Sequence, residues 1–333
     1  MHIRTRRDVL KTAVSLGVGA VAADALSASE KRASSQESSA PGNAAFFPGF
    51  KPEKFEGNRA TINYVIGGSG SPVLLLHGYP ENHLMWRKVA PELAKSHTVV
   101  AADLRGYGDS SKPAGGGDHA AYSKREMAQD QVELMRRLGF ASFAVVGHDR
   151  GGRVAHRMAR DHREVVARLA VLDIIPTYTL YHSVSRETAT AYYHWFFLIQ
   201  PAPFPETLIG NSAEFYLRRS LGPLIPAAIE EDVYAEYLRT FRDPAAIHAT
   251  CEDYRAGASI DLDHDAADLA DKITCPLLAL WGEKGPMHRF YDVLATWKDR
   301  GTNVSGKALP AGHFLAEEKP AELLEELTPF LKA

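Results

Sequence analysis

The residues with the clearest chemical potential stand in one short stretch, Gly147-His148-Asp149-Arg150-Gly151. This is the Gly-x-Ser-x-Gly spacing of a nucleophile elbow, a bend from strand to helix that exposes a reactive side chain, but with aspartate in place of serine. The preceding FAVVGH predicts a strand, and the following RGGRVAHRMARDH predicts a helix. Glycines on both sides suit the strained backbone of such a bend. We predict that Asp149 is a nucleophile; the alternative is an aspartate that only caps the helix.

A carboxylate performs different chemistry from a serine hydroxyl. Serine attacks an acyl carbon, whereas a carboxylate is a weak nucleophile that displaces a leaving group from a saturated carbon and becomes an ester of the enzyme. Water must then cleave that ester at the Asp149 carbonyl carbon, which requires a general base and an oxyanion hole, as in ordinary ester hydrolysis. The sequence therefore predicts a hydrolase that works through an aspartyl ester.

The base and the acid that orients it are expected further along the chain. His313 follows the last predicted strand, where the chain order nucleophile, acid, histidine places the base. Position carries this assignment, because the chain has fourteen histidines. Asp173, which ends the strand LAVLDI, and Glu283, which follows LLALWG, are both candidates for the acid. We favour Asp173, because Lys284 offers Glu283 a surface ion pair.

Backbone donors complete the predicted ester hydrolysis. The strand PVLLL ends at His77 and Gly78, and the N–H of the next residue, Tyr79, can point at the site beside the N–H of Arg150. We predict an oxyanion hole from these two donors. His77 itself is expected to brace the loop and to take no part in the reaction.

Two arginines, Arg150 and Arg153, follow the predicted nucleophile in the first helical turn and share one face of the helix. Cations there oppose the helix dipole at a cost of roughly 0.3–1 kcal/mol each, so an anion should compensate them. Forked hydrogen bonds from both guanidiniums to a substrate carboxylate are the functional interpretation. Compensation by Asp149 and other acidic side chains of the protein is the structural alternative.

The leaving group of such a substrate would point away from Asp149. Three residues with hydrogen-bond donors, His194, Trp195 and Tyr254, lie in the aromatic-rich stretches YHWFF and CEDYRAG. Imidazole, indole and phenol can all donate to an anion. Packing without a ligand is the alternative for aromatic residues of this kind.

Short apolar runs alternate with helical patterns from residue 60 onwards, which predicts an α/β fold with a mostly parallel, doubly wound sheet. This alternation of strands and helices is interrupted by a helical, aromatic-rich segment between two predicted strands. We predict an α/β-hydrolase core over residues 46–176 and 266–333, with residues 177–265 as a helical cap over the carboxyl ends of the strands, where ligands bind in such folds.

The N-terminus reads as a targeting segment. Arg6 and Arg7 precede DVLK, an apolar stretch over residues 12–23 and small residues, a pattern typical of a twin-arginine signal. We predict a signal peptide over residues 1–28, a flexible linker over 29–45 and a periplasmic or secreted protein without stable membrane insertion after cleavage. An uncleaved tether and a leader without function are the alternatives.

Composition points to a small-molecule partner. The 333 residues carry a net charge of −3 and show no basic run after the N-terminus, which argues against nucleic acid. Cys251 and Cys275 permit one disulfide at most. No HExxH motif or Cys/His cluster is present, so we expect no metal and no organic cofactor.

The motifs HGYPENHLMW, DLRGYGDSSKP, GHDRGGRVAHR, AVLDIIPTY, YHWFFLIQPAPFPE, CEDYRAGA, LALWG and GHF together resemble the fluoroacetate (haloacetate) dehalogenases of the α/β-hydrolase superfamily, from about residue 47 to the C-terminus. The resemblance implies that haloacetates are hydrolysed to glycolate and halide. It also implies a homodimer and the following roles: nucleophile Asp149, base His313, acid Asp173, carboxylate clamp Arg150 and Arg153, halide site His194, Trp195 and Tyr254. Tyr79, where relatives often have Phe, and the export leader depart from the family pattern.

Two other functions remain open at this stage. An epoxide hydrolase would share Asp149 and His313 and would use Tyr254 with Tyr192 or Tyr193 to protonate the epoxide oxygen, but a neutral epoxide leaves the arginines without a partner. A ligand-binding protein on a hydrolase fold is the other alternative. Turnover of chloroacetate would separate binding from catalysis, and hydrolysis of styrene oxide would support the epoxide alternative.

Overall fold

A computed structural model describes residues 45–332 of the protein. The predicted signal peptide over 1–28 and the predicted linker over 29–45, apart from residue 45, lie outside this range. Within the described residues, one eight-stranded sheet runs in the order β1-β2-β4-β3-β5-β6-β7-β8. The strands are β1 Lys51–Glu56, β2 Thr61–Gly68, β3 Ser71–Leu76, β4 His97–Ala102, β5 Phe143–His148, β6 Val166–Leu172, β7 Leu277–Gly282 and β8 Val304–Leu309.

Strands β3 to β8 pair in parallel, whereas β1 and β2 are antiparallel to their neighbours. All six residues of β5 are buried, and so are the last four of both β3 and β6. Apolar side chains on both faces explain this burial, because helices cover a parallel sheet on both sides. The predicted α/β class with a mostly parallel sheet is confirmed.

Strand β1 was not predicted from the sequence. Its residues, KPEKFE, are almost all exposed and lack the apolar alternation that marks a half-buried strand. It lies at the edge of the sheet and pairs only with β2 along Lys51↔Ile66 to Glu56↔Thr61. Charged residues and a proline are typical of edge strands, where they discourage pairing with another chain.

The core helices follow the strands that they cover. They are α1 Ala90–Leu93, α2 Lys124–Arg137, α3 Asp149–Asp161, α12 Pro286–Phe290, α13 Val293–Lys298, α14 Leu315–Glu318 and α15 Pro320–Lys332. Helix α2 is capped by Ser123, whose side chain accepts a hydrogen bond from the Glu126 N–H. Helix α3 packs against β5 and β6. It begins at Asp149, directly after the carboxyl end of β5.

Between β6 and β7 the chain forms a run of helices and returns to the sheet only at Leu277. They are α4 Thr177–His182, α5 Arg186–Ala191, α6 Tyr193–Phe197, α7 Phe204–Gly210, α8 Ala213–Leu221, α9 Glu231–Phe241, α10 Pro244–Gly257 and α11 Ile260–Ala267. We call α4 to α11 the cap helices. In the part of the chain that the structure describes, no helix is long and apolar enough to span a bilayer.

Candidate active site

Asp149 lies at the bend between β5 and α3. Its φ of 43° is in the left-handed region that non-glycine residues rarely adopt. The flanking glycines are needed for close approach, since a Cβ on Gly147 would lie 2.4 Å from the Gly151 carbonyl oxygen, and one on Gly151 would lie 2.4 Å from that of His77. The bend holds the Asp149 carboxylate, only 6% exposed, at the wall of a cavity.

The surroundings of Asp149 keep its carboxylate ionised. Burial alone would raise the pKa of Asp149, but the nearby His313 and Arg153 outweigh burial and the pKa lies below its ordinary value. The Tyr79 N–H donates to Asp149 Oδ2 over 3.2 Å. The N–H of Arg150 belongs to the first turn of α3, where amides have no partner within the helix. The Tyr79 N–H therefore adjoins the carboxylate, and the Arg150 N–H has no partner within the helix.

His313 follows β8 and lines the same cavity as Asp149. Its Nδ1 lies 2.6 Å from Asp173 Oδ2. A carboxylate only accepts, so Nδ1 carries the proton and Nε2 is free to act as a base. Burial lowers the pKa of His313, but the hydrogen bond and the charge of Asp173 outweigh it, and the pKa is raised above its ordinary value.

Asp173 is held firmly in place. It is fully buried, its φ is 51°, and its Oδ1 accepts a hydrogen bond of 2.9 Å from the Gly282 N–H at the end of β7. Glu283, the other candidate for the acid, has an exposed side chain. The structure therefore brings Asp173, and not Glu283, to the imidazole of His313.

His148 is a residue whose place in the site was not predicted. Its Nε2 donates to the His313 carbonyl oxygen over 2.8 Å, and the two rings lie 4.6 Å apart. Burial lowers the pKa of His148 to about 3, with a smaller contribution from His313, so it is a neutral donor. It fixes the loop that carries His313. The sequence signal was its position directly before Asp149.

The two arginines of the predicted carboxylate clamp are not equivalent in the structure. Arg150 is fully buried and donates from Nε to Asp253 Oδ2 over 2.8 Å and from Nη2 to Asp253 Oδ1 over 2.7 Å. Its Nη1 has no hydrogen-bond partner. An acidic side chain of the protein therefore compensates Arg150, and one edge of its guanidinium is already occupied.

Arg153 is the freer of the two arginines. Its Nη1 donates to the Ile175 carbonyl oxygen and to Thr177 Oγ1, each over 3.0 Å, whereas its Nε and Nη2 are buried without partners. It lines the cavity, and its Cζ lies 4.4 Å from the ring centroid of Trp195. Burial lowers the pKa of Arg153 against the opposing effect of Asp149. A buried cation with unpaired N–H groups at a cavity wall is suited to an anionic ligand.

Asp253 was missed as a member of the site, although it stands directly before Tyr254 in CEDYRAG. It is fully buried and also accepts hydrogen bonds from Tyr107 Oη, over 2.6 Å, and from Lys124 Nζ. Burial would raise the pKa of Asp253, but the charges of Arg150 and Lys124 hold that pKa below its ordinary value. A buried arginine needs an acidic partner, so the search for a partner of Arg150 was the signal that could have found Asp253.

The three predicted halide donors lie together. The Tyr254 ring centroid is 5.9 Å from that of His194 and 5.7 Å from that of Trp195, in both cases edge to face. His194 and Trp195 line the cavity, whereas Tyr254 is fully buried beside them with its hydroxyl unpaired. Burial lowers the pKa of His194 to about 4, so its imidazole is neutral near pH 7.

The cavity has a volume of about 320 Å³ and lies between the carboxyl ends of the strands and the cap helices. Its floor carries Asp149, Arg153 and His313, and its roof carries Tyr192, His194 and Trp195. Tyr193, the other tyrosine considered for an epoxide, also lines it but is 44% exposed. Within residues 45–332 no three His, Cys, Asp or Glu side chains are grouped so as to hold a metal ion.

An elbow nucleophile, a histidine and acid pair, and a helical cap on a mostly parallel sheet define a hydrolase fold, and the chain belongs to the α/β-hydrolase family, whose model matches residues 71–320. Within that family it is 49% identical to a fluoroacetate dehalogenase of Burkholderia sp. over 86% of this chain and 95% of the relative. The resemblance to the fluoroacetate dehalogenases is thereby confirmed.

Two further comparisons agree with this membership. The chain is 38% identical to a soluble epoxide hydrolase of Corynebacterium sp. over 82% of this chain and 94% of the relative. The solved structure of an α/β-hydrolase-fold protein from Nostoc sp. superposes with a TM-score of 0.83 at 57% identity, covering 85% of this chain and 98% of that one. The chain therefore resembles both a dehalogenase and an epoxide hydrolase over most of its length.

Proposed function

We propose that this protein is a haloacetate dehalogenase, an enzyme that hydrolyses a carbon–halogen bond next to a carboxylate. One observation carries the proposal: a single cavity contains an ionised carboxylate, a histidine paired with a buried acid, and an arginine with two unpaired N–H groups. The 49% identity to a fluoroacetate dehalogenase supports it. The substrate is a small haloacid such as fluoroacetate or chloroacetate, and the products are glycolate and halide.

The first step forms an ester. Arg153, with help from Arg150 Nη1, holds the substrate carboxylate so that the α-carbon faces Asp149. A carboxylate oxygen attacks that carbon, and the halide leaves with the bonding electron pair towards His194, Trp195 and Tyr254. The donors of these three side chains stabilise the departing anion, at roughly 1.5–3 kcal/mol for each hydrogen bond to a charged group.

The second step releases the product. His313 Nε2 removes a proton from a water molecule, which attacks Cγ of Asp149, while Asp173 stabilises the imidazolium that forms. The N–H groups of Tyr79 and Arg150 stabilise the oxyanion, and removal of one such donor typically costs about 10²–10³ in rate. Collapse of the intermediate frees glycolate, whose alkoxide takes the proton from His313.

A neutral epoxide is a poorer match for this cavity. Tyr254 and Tyr192 have buried, unpaired hydroxyl groups that suit an epoxide oxygen, and the epoxide hydrolase relative supports this second candidate function. A neutral substrate nevertheless leaves the buried Nε and Nη2 of Arg153 without hydrogen-bond partners, which is costly. Hydrolysis of styrene oxide at a rate comparable to that of chloroacetate would favour the epoxide alternative.

The decisive experiment follows the oxygen atom. In one turnover of chloroacetate in H₂¹⁸O with excess enzyme, we expect the label in the peptide that contains Asp149 and not in glycolate. His313→Asn should form the ester without hydrolysing it, and should add the mass of a carboxymethyl group to the same peptide. Label in glycolate, or an unmodified peptide in the variant, would contradict the mechanism. A protein that only binds haloacetate would release no chloride.

We also propose that the protein is exported through the predicted twin-arginine signal of residues 1–28 and acts in the periplasm. The Arg6-Arg7 pair and the apolar stretch support this. Cell fractionation of the native chain beside an Arg6→Lys, Arg7→Lys double variant tests it. Export should fail in the double variant, and equal distribution of the two chains would refute it.

A homodimer is the proposed assembly. Three apolar side chains of the cap helices are well exposed: Phe204 (54%), Leu208 (50%) and Phe215 (77%). They lie on the consecutive helices α7 and α8, and an exposed apolar patch is more typical of an interface than of free surface. Sedimentation of the mature protein should give twice the monomer mass, and the Phe215→Asp variant should give the mass of one monomer.

A further inference from the structure

Two polar groups without a partner lie beside Trp195, which lines the cavity: the Tyr254 ring is 5.7 Å and Arg150 Cζ is 5.5 Å from the centroid of its ring. Tyr254 Oη and Arg150 Nη1 are both buried and unpaired, and Arg150 Cζ lies 4.1 Å from the centroid of the Tyr254 ring. A buried donor without a partner costs about 1–3 kcal/mol, so these groups are arranged for a ligand. Asp149 contributes to the raised pKa of Tyr254, which places the phenol within electrostatic reach of the nucleophile.

A phenol offers more than a halide needs. Halides leave as stable anions that accept hydrogen bonds but take up no proton at neutral pH. Tyr254 can also give up its proton, and that ability matters only for a leaving atom that is strongly basic. The oxygen of an epoxide is such an atom, because ring opening leaves it as an alkoxide that must be protonated.

A substrate with a carboxylate on an epoxide ring would provide a partner for Arg153 and a basic leaving oxygen for Tyr254 at once. The carboxylate would pair with Arg153, whose buried Nε and Nη2 a neutral epoxide leaves without hydrogen-bond partners. With the carboxylate held there, the neighbouring ring carbon would occupy the place of the haloacetate α-carbon, and the ring oxygen would occupy the place of the halide. The cavity of about 320 Å³ exceeds the volume of a three-carbon acid.

We propose that the same site hydrolyses α,β-epoxycarboxylates, of which glycidate (oxirane-2-carboxylate) is the smallest, to 2,3-dihydroxy acids. The inference rests on the proposed function, since it uses the nucleophile Asp149, the base His313 and the arginine clamp of that function. It adds a substrate class and assigns Tyr254 as the proton donor.

The reaction balances without a co-reactant other than water. An Asp149 oxygen forms a bond to C2 of glycidate, and the C2–O bond of the ring breaks with its electron pair on oxygen. Tyr254 transfers its proton to that oxygen, which becomes the C3 hydroxyl, and solvent returns a proton to the phenolate. His313 then activates water against Cγ of Asp149, and glycerate leaves with the former carboxylate oxygen on C2.

Tyr254, and not His194, is the proton donor. His194 is neutral near pH 7, because burial lowers its pKa to about 4, so its ring offers a hydrogen bond but no readily released proton. Burial and the nearby Asp149 raise the pKa of Tyr254 well above its ordinary value, so the phenol keeps its proton at neutral pH. An alkoxide is a stronger base than phenolate and can still remove that proton. The Arg150 guanidinium against the ring stabilises the phenolate that results.

The experiment compares the turnover of glycidate, chloroacetate and styrene oxide by the same enzyme. We expect the enzyme to convert glycidate to glycerate and chloroacetate to glycolate, and to hydrolyse styrene oxide far more slowly. Tyr254→Phe should lower glycidate turnover about 10³-fold, as loss of a general acid does. It should lower chloroacetate turnover only about tenfold, as loss of one hydrogen bond to an anion does.

A matched control and a second measurement keep the test sharp. Tyr291 also has a buried, unpaired hydroxyl, but its ring does not pack against His194 or Trp195 as that of Tyr254 does, so Tyr291→Phe should change neither rate. One turnover of glycidate by the unmodified enzyme in H₂¹⁸O should label Asp149, whatever the stability of the Tyr254 variant. Chloroacetate turnover without glycidate turnover, or equal losses for both substrates in Tyr254→Phe, would overturn the inference. Absence of chloride release from chloroacetate would instead refute the proposed function itself.

Discussion

We expect the two arginines behind Asp149 to make an unequal clamp, so replacing each with methionine should separate binding from folding. Arg153 has two unpaired nitrogens, Nε and Nη2, whereas Arg150 has only Nη1 and is otherwise paired with Asp253. We expect Arg153→Met to impair haloacetate turnover more than Arg150→Met does, and Arg150→Met to destabilise the fold more. Methionine keeps much of the side-chain volume, so cavity effects are similar in both variants.

The magnitudes follow from the hydrogen bonds that each variant removes. Arg153→Met removes two N–H groups from the substrate carboxylate, at roughly 1.5–3 kcal/mol each, or about 3–6 kcal/mol in total. This corresponds to a loss of about 10²–10⁴ in kcat/KM, at about 1.4 kcal/mol for each factor of ten. Arg150→Met removes one such group and should lower kcat/KM by a factor of about 10–10².

Stability should show the opposite order. Arg150→Met breaks a fully buried ion pair, which costs about 3–5 kcal/mol, and Lys124 at Asp253 keeps the loss near the lower end. Arg153→Met removes a buried cation whose hydrogen-bond partners, Ile175 and Thr177, are neutral, and Asp149, the charge beside it, keeps His313 as a neighbour. Loss of those hydrogen bonds and relief of the buried charge oppose each other, so the free energy of unfolding should change by about 1 kcal/mol or less.

Two assays decide the matter. Chloride release gives kcat/KM for chloroacetate, with chloroacetamide, which has the same leaving group and no charge, as the control substrate. Urea denaturation of the ligand-free protein gives the free energy of unfolding. The chloroacetate-to-chloroacetamide ratio should fall most in Arg153→Met. Equal losses of activity and of stability in the two variants, or a greater destabilisation by Arg153→Met, would refute the unequal clamp.

The remaining predictions concern the base and its acid. The pKa of His313 is raised, so kcat, which includes ester hydrolysis, should fall as the pH drops through a value above 6.5. The pKa of Asp149 is lowered, so kcat/KM, which covers the steps up to halide release, should hold to a lower pH. Coinciding acid limbs in stopped-flow and steady-state profiles would contradict this order. Asp173→Asn should lower kcat about 10³–10⁴-fold because it disturbs the tautomer of His313. Glu283→Gln, at an exposed position, should stay within about twofold, and a large loss there would reopen the choice of acid.

The sequence specified the features that depend on local order along the chain. The elbow at Asp149 is encoded by a strand, two close-packing glycines and a helix within about twenty residues, and the structure has that bend with a φ of 43°. The parallel strands were predictable because burial on both faces requires apolar runs. Strand β1 was not, because its exposed, charged residues carry no such pattern and its conformation comes from pairing with β2.

Tertiary structure decided what depends on residues far apart in the chain. Asp173 and Glu283 were both reasonable acids by sequence, but only Asp173 lies against His313, 140 residues away, where the end of β7 anchors it. The partner of Arg150 is likewise 103 residues distant, on a cap helix. Sequence patterns report which surfaces must be buried and where the chain turns. They do not report which charges meet once the cap helices close over the sheet, because that pairing is set by the desolvation and geometry of the folded interior.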